Sequence, residues 1–139
     1  MDKEEIISKI NNKIQNTMTS NIGIEVIDYD DDFICGKMPV DERTMQPQGL
    51  LHGGASVALA ETLGSIGGGI KVKQNNEIVV GLEINANHLK SAKEGWVYGT
   101  SIPIKVGKKI QVWETKITDQ NNELICISRL TLAVLKDKS

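Results

Sequence analysis

Gln46, His52, Gly53 and Glu61 are the residues of this chain whose types and spacing could act on a carbonyl group. Gln46 stands six residues before His52, which opens the run His-Gly-Gly-Ala-Ser at 52 to 56. Glu61 follows nine residues after His52, inside a helical pattern otherwise made of apolar and small residues, with no basic residue within a turn. A buried, unpaired carboxylate is costly, so an acid in such a stretch is paired, exposed or used. The start of a helix offers unpaired N–H groups and partial positive charge, which suit an oxyanion forming as a carbonyl is attacked. Glycines at 53 and 54 let a substrate carbonyl approach that backbone. A glutamate attacking the carbonyl would form a mixed anhydride for water to hydrolyse. On a helical wheel Leu59, Leu63, Ile66 and Ile70 make one apolar stripe, and Glu61 lies opposite with Gly54, Ala58, Ser65 and Gly68. The small-residue face admits a second chain or a ligand close to the helix, where the acid meets it.

Two further segments are basic. Asn87-His88-Leu89-Lys90-Ser91 ends one extended run, and Lys105-Val106-Gly107-Lys108-Lys109 forms a turn between two others. Cations and turn backbone of this kind suit phosphate groups. Lys90 supplies a point charge, without the bidentate fork of an arginine.

The elements that must position these residues follow from periodicity. The length of 139 residues suits a single domain with its own core, here residues 1–139 with a helical segment over 1–20. Ile6, Ile7, Ile10 and Ile14 predict a short amphipathic helix over 3 to 18. Residues 22 to 29 and 33 to 40 read as two strands turned at Asp30-Asp31-Asp32. A loop from Asp41 to Leu51 leads into the helix, expected from about Gly53 to Gly67, with the glycines at 67 to 69 ending or loosening it. Four extended runs follow, at roughly 77 to 90, 95 to 106, 109 to 118 and 123 to 135. In the second of these the even positions Trp96, Tyr98, Ile102, Ile104 and Val106 alternate with smaller or polar residues, as in a half-buried strand. The class is α+β, an antiparallel sheet wrapped around one long helix. The last run is apolar on both faces, so a homo-oligomer is expected to cover what the helix leaves bare.

Composition narrows the function classes. A net charge of −2 gives no general pull toward nucleic acid or an anionic membrane. No run of about 18 apolar residues marks a membrane span, and the charged Met-Asp-Lys-Glu-Glu start has no apolar signal core, so a cytoplasmic location is expected. Cys35 and Cys126 lie far apart in strand-like runs and fit reduced thiols better than a disulfide. Two cysteines and two histidines without zinc-ligand spacing predict no metal, and no cofactor is called for.

The stretch Gln46 to Gly68, with Val80 to Glu94 and Gln111 to Glu114, resembles the hotdog-fold acyl-CoA thioesterases. The nearest subgroup acts on 4-hydroxybenzoyl-CoA and 1,4-dihydroxy-2-naphthoyl-CoA, with phenylacetate-pathway enzymes as relatives. The likeness covers nearly everything from residue 20 onward and centres on Gly-Leu-Leu-His-Gly-Gly-Ala-Ser at 49 to 56 with Glu61 beyond. It implies that Glu61 is the essential carboxylate, either attacking the thioester or activating water against it. It implies the Gly53 N–H as oxyanion donor, Gln46 and His52 as orienting side chains, and the Ser65 hydroxyl as holding the water or the acid. For coenzyme A it implies Gly81, His88, Leu89, Lys90 and Ser91 together with Lys105, Val106, Gly107, Lys108 and Lys109, often from different subunits. Its assemblies are dimers of joined sheets, commonly paired into tetramers. Two other readings stand beside hydrolysis. One is a hotdog hydratase or dehydratase with His52 as base, whose Pro-rich helix entry is replaced here by Gly-Leu-Leu-His-Gly-Gly. The other is a non-catalytic acyl-CoA-binding module, whose DNA-binding partner domain does not fit in some 20 residues before Ile22.

Overall fold

A computed structural model describes residues 1–139. Helix α1 spans Lys3–Lys13 and α2 Met18–Asn21, strands β1 and β2 span Glu25–Tyr29 and Ile34–Pro39, and the long helix α3 spans Gly53–Val72. Strands β3 to β6 follow at Glu77–His88, Trp96–Val106, Ile110–Thr118 and Leu124–Lys136. All six strands form one sheet in the order β1-β2-β4-β5-β6-β3, antiparallel at every pairing. The chain leaves β2, passes through α3 across the concave face, and enters β3 at the opposite edge. This is the hotdog arrangement, α+β with the sheet curled around one helix.

Beneath α3, Leu59 and Leu63 are fully buried against Met38, Val97, Ile117 and Leu130. The N-terminal helix is shorter than the periodicity predicts, ending at Lys13 before a left-handed Asn16 at φ 64°. Its Asn11 side chain both donates to the Val26 carbonyl and accepts the Val26 N–H, each at 2.9 Å, so it closes the outer edge of β1. The strand expected from residue 22 begins only at Glu25. Gly23 turns the chain there at φ 81°, and a Cβ on it would come within 2.6 Å of Pro39 Cδ.

The glycines at 67 to 69 do not end α3, which continues to Val72. The buried residues of the helix include Leu59, Ala60, Leu63, Gly64, Gly67 and Gly68, while Ile66 is half-buried and Ile70 is 38% exposed. Gly68 therefore leaves the Glu61 face to which the wheel assigned it, and Ile70 leaves the core stripe. The reason is steric. A Cβ at Gly64 would lie 2.7 Å from Leu130 Cδ2, at Gly67 2.7 Å from Trp113 Cη2, and at Gly68 2.6 Å from Leu132 Cδ1. The sheet comes so close to this half of the helix that only glycine fits, and the packing gained offsets the poor helix propensity of about 1 kcal/mol per glycine. Gly67→Ala is expected to lower stability by about 1–3 kcal/mol in a denaturant titration, because the rigid indole cannot yield to the new methyl. An unchanged midpoint would mean that the sheet relaxes freely there.

In β4 the alternation is real, and the odd positions take the inner side. Val97, Gly99 and Ser101 face α3, whereas Ile102, Ile104 and Val106 are 40–50% exposed on the outer surface. Gly99 is inward because Leu63 and Leu59 fill its place: its Cβ would meet Leu63 Cδ1 at 2.8 Å. On β6 the inner row is Cys126, Ser128, Leu130 and Leu132, and the outer row of Ile127, Thr131, Ala133 and Leu135 is interrupted by exposed Arg129. Thus the outer face carries an apolar patch, and the β3 edge, with Ile78, Val80 and Leu82 exposed, has no counterpart of Asn11.

Candidate active site

The segment before α3 is held by backbone and one buried hydroxyl. Thr44 Oγ1 donates to the Pro39 carbonyl at 2.7 Å, the His52 N–H donates to the Thr44 carbonyl at 2.8 Å, and the Leu51 N–H donates to the Ala92 carbonyl at 2.8 Å. Gln46 spends its carboxamide on its own turn. Its Nε2 donates to Gln48 Oε1 at 2.8 Å and its Oε1 accepts the Gln48 N–H at 2.5 Å, with Gly49 at φ 80° closing the turn.

His52 is the N-cap of α3. Its Nδ1 accepts the Gly54 N–H at 2.8 Å, so in the neutral ring Nε2 carries the proton. The cap satisfies one of the free N–H groups at the helix start and leaves that of Gly53, the first helical residue, without an intrahelical partner. Gly53 is glycine because the His88 imidazole lies over it: a Cβ would sit 2.9 Å from His88 Nε2. Gly53, the Gln46 turn and the β3 exit at His88, Leu89, Lys90 and Ser91 line one cleft of about 460 Å³. Ser56, buried one turn past His52, lines it as well, with Leu50, Leu51, Ala92 and Ile125 supplying its apolar wall.

Glu61 lies outside this cleft. It is half-buried, takes part in none of the salt bridges of the chain, and packs its carboxylate against Gly81 near the middle of β3. A Cβ on Gly81 would stand 2.5 Å from Glu61 Oε2, so this strand residue is what lets the acid lie along the sheet. We expect Gly81→Ala to displace the carboxylate and cut turnover by about ten- to a hundredfold. Steady-state kinetics beside a thermal melt checks this, and full activity would show that the present seat of Glu61 is immaterial. Ser65 stands half-buried one turn beyond. Eight residues of α3 separate Gly53 from Glu61, about 12 Å along the axis. That is more than twice the length of a glutamate side chain, so the acid and the helix start stand well apart on one chain.

The two basic segments are also apart. Val106, Gly107 and Lys108 line a separate hollow with Lys71 and Glu77 beside the far end of α3. The helix is 20 residues long, so that end lies about 30 Å from Gly53. Lys105, Val106, Gly107, Lys108 and Lys109 thus stand away from the cleft of their own chain. Lys90 borders the cleft, but its Nζ is bound at 2.7 Å to Asp119 Oδ2 and at 2.9 Å to Glu123 Oε2. The hydrogen bond from Lys90, reinforced by the Glu123 N–H, holds the Asp119 carboxyl below the ordinary carboxylate range. The same partners, Asp119 foremost, raise the Lys90 ammonium. Burial pushes the thiols of Cys35 and Cys126 up; both are free, and neither is suited to act as a thiolate near neutrality.

Sequence reasoning missed Ser56, Ile125 and the Asp119–Glu123 pair. Ser56 had a signal, a hydroxyl one turn after the capping histidine. Ile125 had none, since its place depends on the register that sets His88 opposite Cys126.

A family model described as Thioesterase superfamily matches residues 48–126. The chain is 53% identical over 105 residues to the 1,4-dihydroxy-2-naphthoyl-CoA hydrolase of Escherichia coli, covering 76% of each chain. It is 47% identical over 121 residues to the Listeria monocytogenes protein of the same name, covering 87% of this chain and 98% of that one. The crystal structure of a thioesterase from Haemophilus influenzae superposes with a TM-score of 0.92 at 46% identity, covering 96% of this chain and 92% of that one.

Proposed function

From the premise that the chain belongs to the thioesterase superfamily and is a thioester hydrolase, we propose that it cleaves an aromatic or medium-chain acyl-CoA to the free acid and CoA. The reading that fits the relatives best is an aryl substrate of the 1,4-dihydroxy-2-naphthoyl-CoA type. In this reading the thioester carbonyl accepts the Gly53 N–H at the start of α3. Glu61 either attacks the carbonyl carbon, expelling the CoA thiolate and leaving an anhydride for water, or takes the proton of a water that attacks in its place. The pantetheine arm follows His88 to Ser91 toward the lysines. His52 acts by fixing the helix entry and Gln46 by fixing the loop before it; Ser65 orients the acid or its water.

The observation that carries this reading is that Gly53, the first residue of α3 and without an intrahelical partner for its N–H, lines a cleft while Glu61 lies about 12 Å further along the same helix. A second copy resolves the separation. The β1 edge is closed by Asn11 and the β3 edge is bare, so two chains join through β3. Antiparallel β3 strands set the two α3 helices side by side in opposite directions. Glu61, seated against the middle of β3, then faces the partner's helix start, and the partner's lysine turn swings toward this chain's cleft. Two such dimers packed by the apolar outer faces make a tetramer. The hydratase reading loses ground because His52 Nδ1 is spent on the cap.

Thiol release from benzoyl-, naphthoyl-, phenylacetyl- and straight-chain acyl-CoAs tests the activity; the aryl substrates should give the highest kcat/KM, and no release from any of them would remove the proposal. The shared site has its own test. Glu61→Gln protein mixed with a variant disabled at the helix start should regain about a quarter of wild-type activity after subunit exchange. A mixture that stays inactive after exchange, or a fully active monomer by light scattering, would rule the shared site out.

A further inference from the structure

Beyond the cleft at the start of α3 lies a second hollow of about 440 Å³, which shares Lys90, Ser91 and Ala92 with it. Its charged rim is unusual for a phosphate site. Lys90 and Lys93 stand there with Glu94 and Asp119, and Glu123 binds Lys90 from the side, two lysines against three carboxylates. Asp119 cannot turn aside. Its Oδ1 accepts the N–H groups of Asn121 and Glu123 at 2.9 and 3.0 Å, which builds the β5–β6 turn, and its Oδ2 takes the Lys90 ammonium. Its side chain is only 15% exposed, against 40% for Lys90 and 58% for Glu123. The most fixed member of the group is therefore an acid, Asp119, and Lys90 is tethered to it and to the more exposed Glu123.

We propose that Asp119 and Glu123 hold Lys90 away from the phosphates of CoA, so that this pair sets how tightly the nucleotide end of the substrate is captured. The inference rests on the acyl-CoA reading and adds residues that weaken binding. A phosphate entering the hollow must draw Lys90 off two carboxylates and approach an acid that stays in place. The pair thus limits product affinity as well as substrate affinity, since released CoA carries the same phosphates.

Glu123→Gln keeps the shape of the side chain and leaves the turn intact, because the turn uses only the backbone of residue 123 and the Asp119 carboxylate. In calorimetry with CoA as the probe, this variant should bind about two- to fivefold more tightly than wild type at low salt, the range of one exposed ion pair. The gain should shrink as salt is raised. Pantetheine, which has no phosphates, should bind both proteins alike. In a Lys90→Met background the Glu123→Gln gain should vanish, since the acid then has no lysine to withhold. Unchanged or weaker CoA binding in Glu123→Gln overturns the inference while leaving the hydrolase reading intact. A gain that persists in Lys90→Met, or that extends to pantetheine, overturns it too, because the acid would then act by general repulsion or through the turn. Wild-type protein that binds no CoA overturns the inference, whereas the acyl-CoA reading falls only if no acyl-CoA releases its thiol.

Discussion

Replacing Glu61 by Gln is expected to lower kcat by on the order of a thousandfold or more, with KM changed far less. Glutamine keeps the length and most of the shape of the side chain, so it can still lie against Gly81 as Glu61 does. What it loses is the ability to attack a carbonyl or to accept a proton. The acid forms no ion pair whose loss would disturb the fold, and it is only half-buried. A large effect on turnover with an unchanged melting temperature is therefore attributable to chemistry. An interaction used in the transition state alone lowers kcat and kcat/KM together. A Glu61→Gln enzyme retaining more than about a tenth of wild-type turnover would be far above what loss of an essential carboxylate leaves, and the assignment would fall.

Gly53→Pro should remove the oxyanion donor while leaving the helix in place. Gly53 is the first helical residue, where proline is tolerated because its missing N–H is one of the free ones. His52, at φ −69° and ψ 132°, already has the extended backbone that a residue before proline prefers. The new ring also crowds His88, which a glycine at 53 now accommodates at 2.9 Å from an ideal Cβ. Gly53→Ala supplies the control, since it introduces the same Cβ and keeps the N–H. The proline variant should turn over on the order of a hundred to a thousand times more slowly than the alanine variant, the usual cost of one oxyanion donor. Equal activities for the two would show that crowding of His88, and not the lost N–H, is what matters. The proline variant is also the natural partner for Glu61→Gln in subunit mixing, because each lesion then lies on a different side of a shared site.

Much of this protein is determined locally. The acid nine residues past His52, the glycines at the helix start and the period-two runs after residue 77 fix a helix beneath an antiparallel sheet. They also single out the residues on which the proposed chemistry rests, because a lone carboxylate among small residues and a glycine-led helix start are visible in the sequence itself. His52 as the cap was within reach for the same reason, since capping is a matter of the first turn alone. The tertiary structure decided what depends on neighbours distant in sequence. Alternation along β4 defines two faces, but only the position of Leu59 and Leu63 makes the one with Gly99 the inner one. The glycines at 67 to 69 read as ending or loosening the helix because propensity is local, whereas Trp113 and Leu132 press so close to Gly67 and Gly68 that only glycine fits there, as Leu130 does at Gly64. Lys90 reads as a free phosphate ligand until the β5–β6 turn brings Asp119 and Glu123 within 2.7 and 2.9 Å. The axial rise of α3 divides the site as well: each residue type was legible in sequence, but a continuous helix fixes how far apart its own groups must stay.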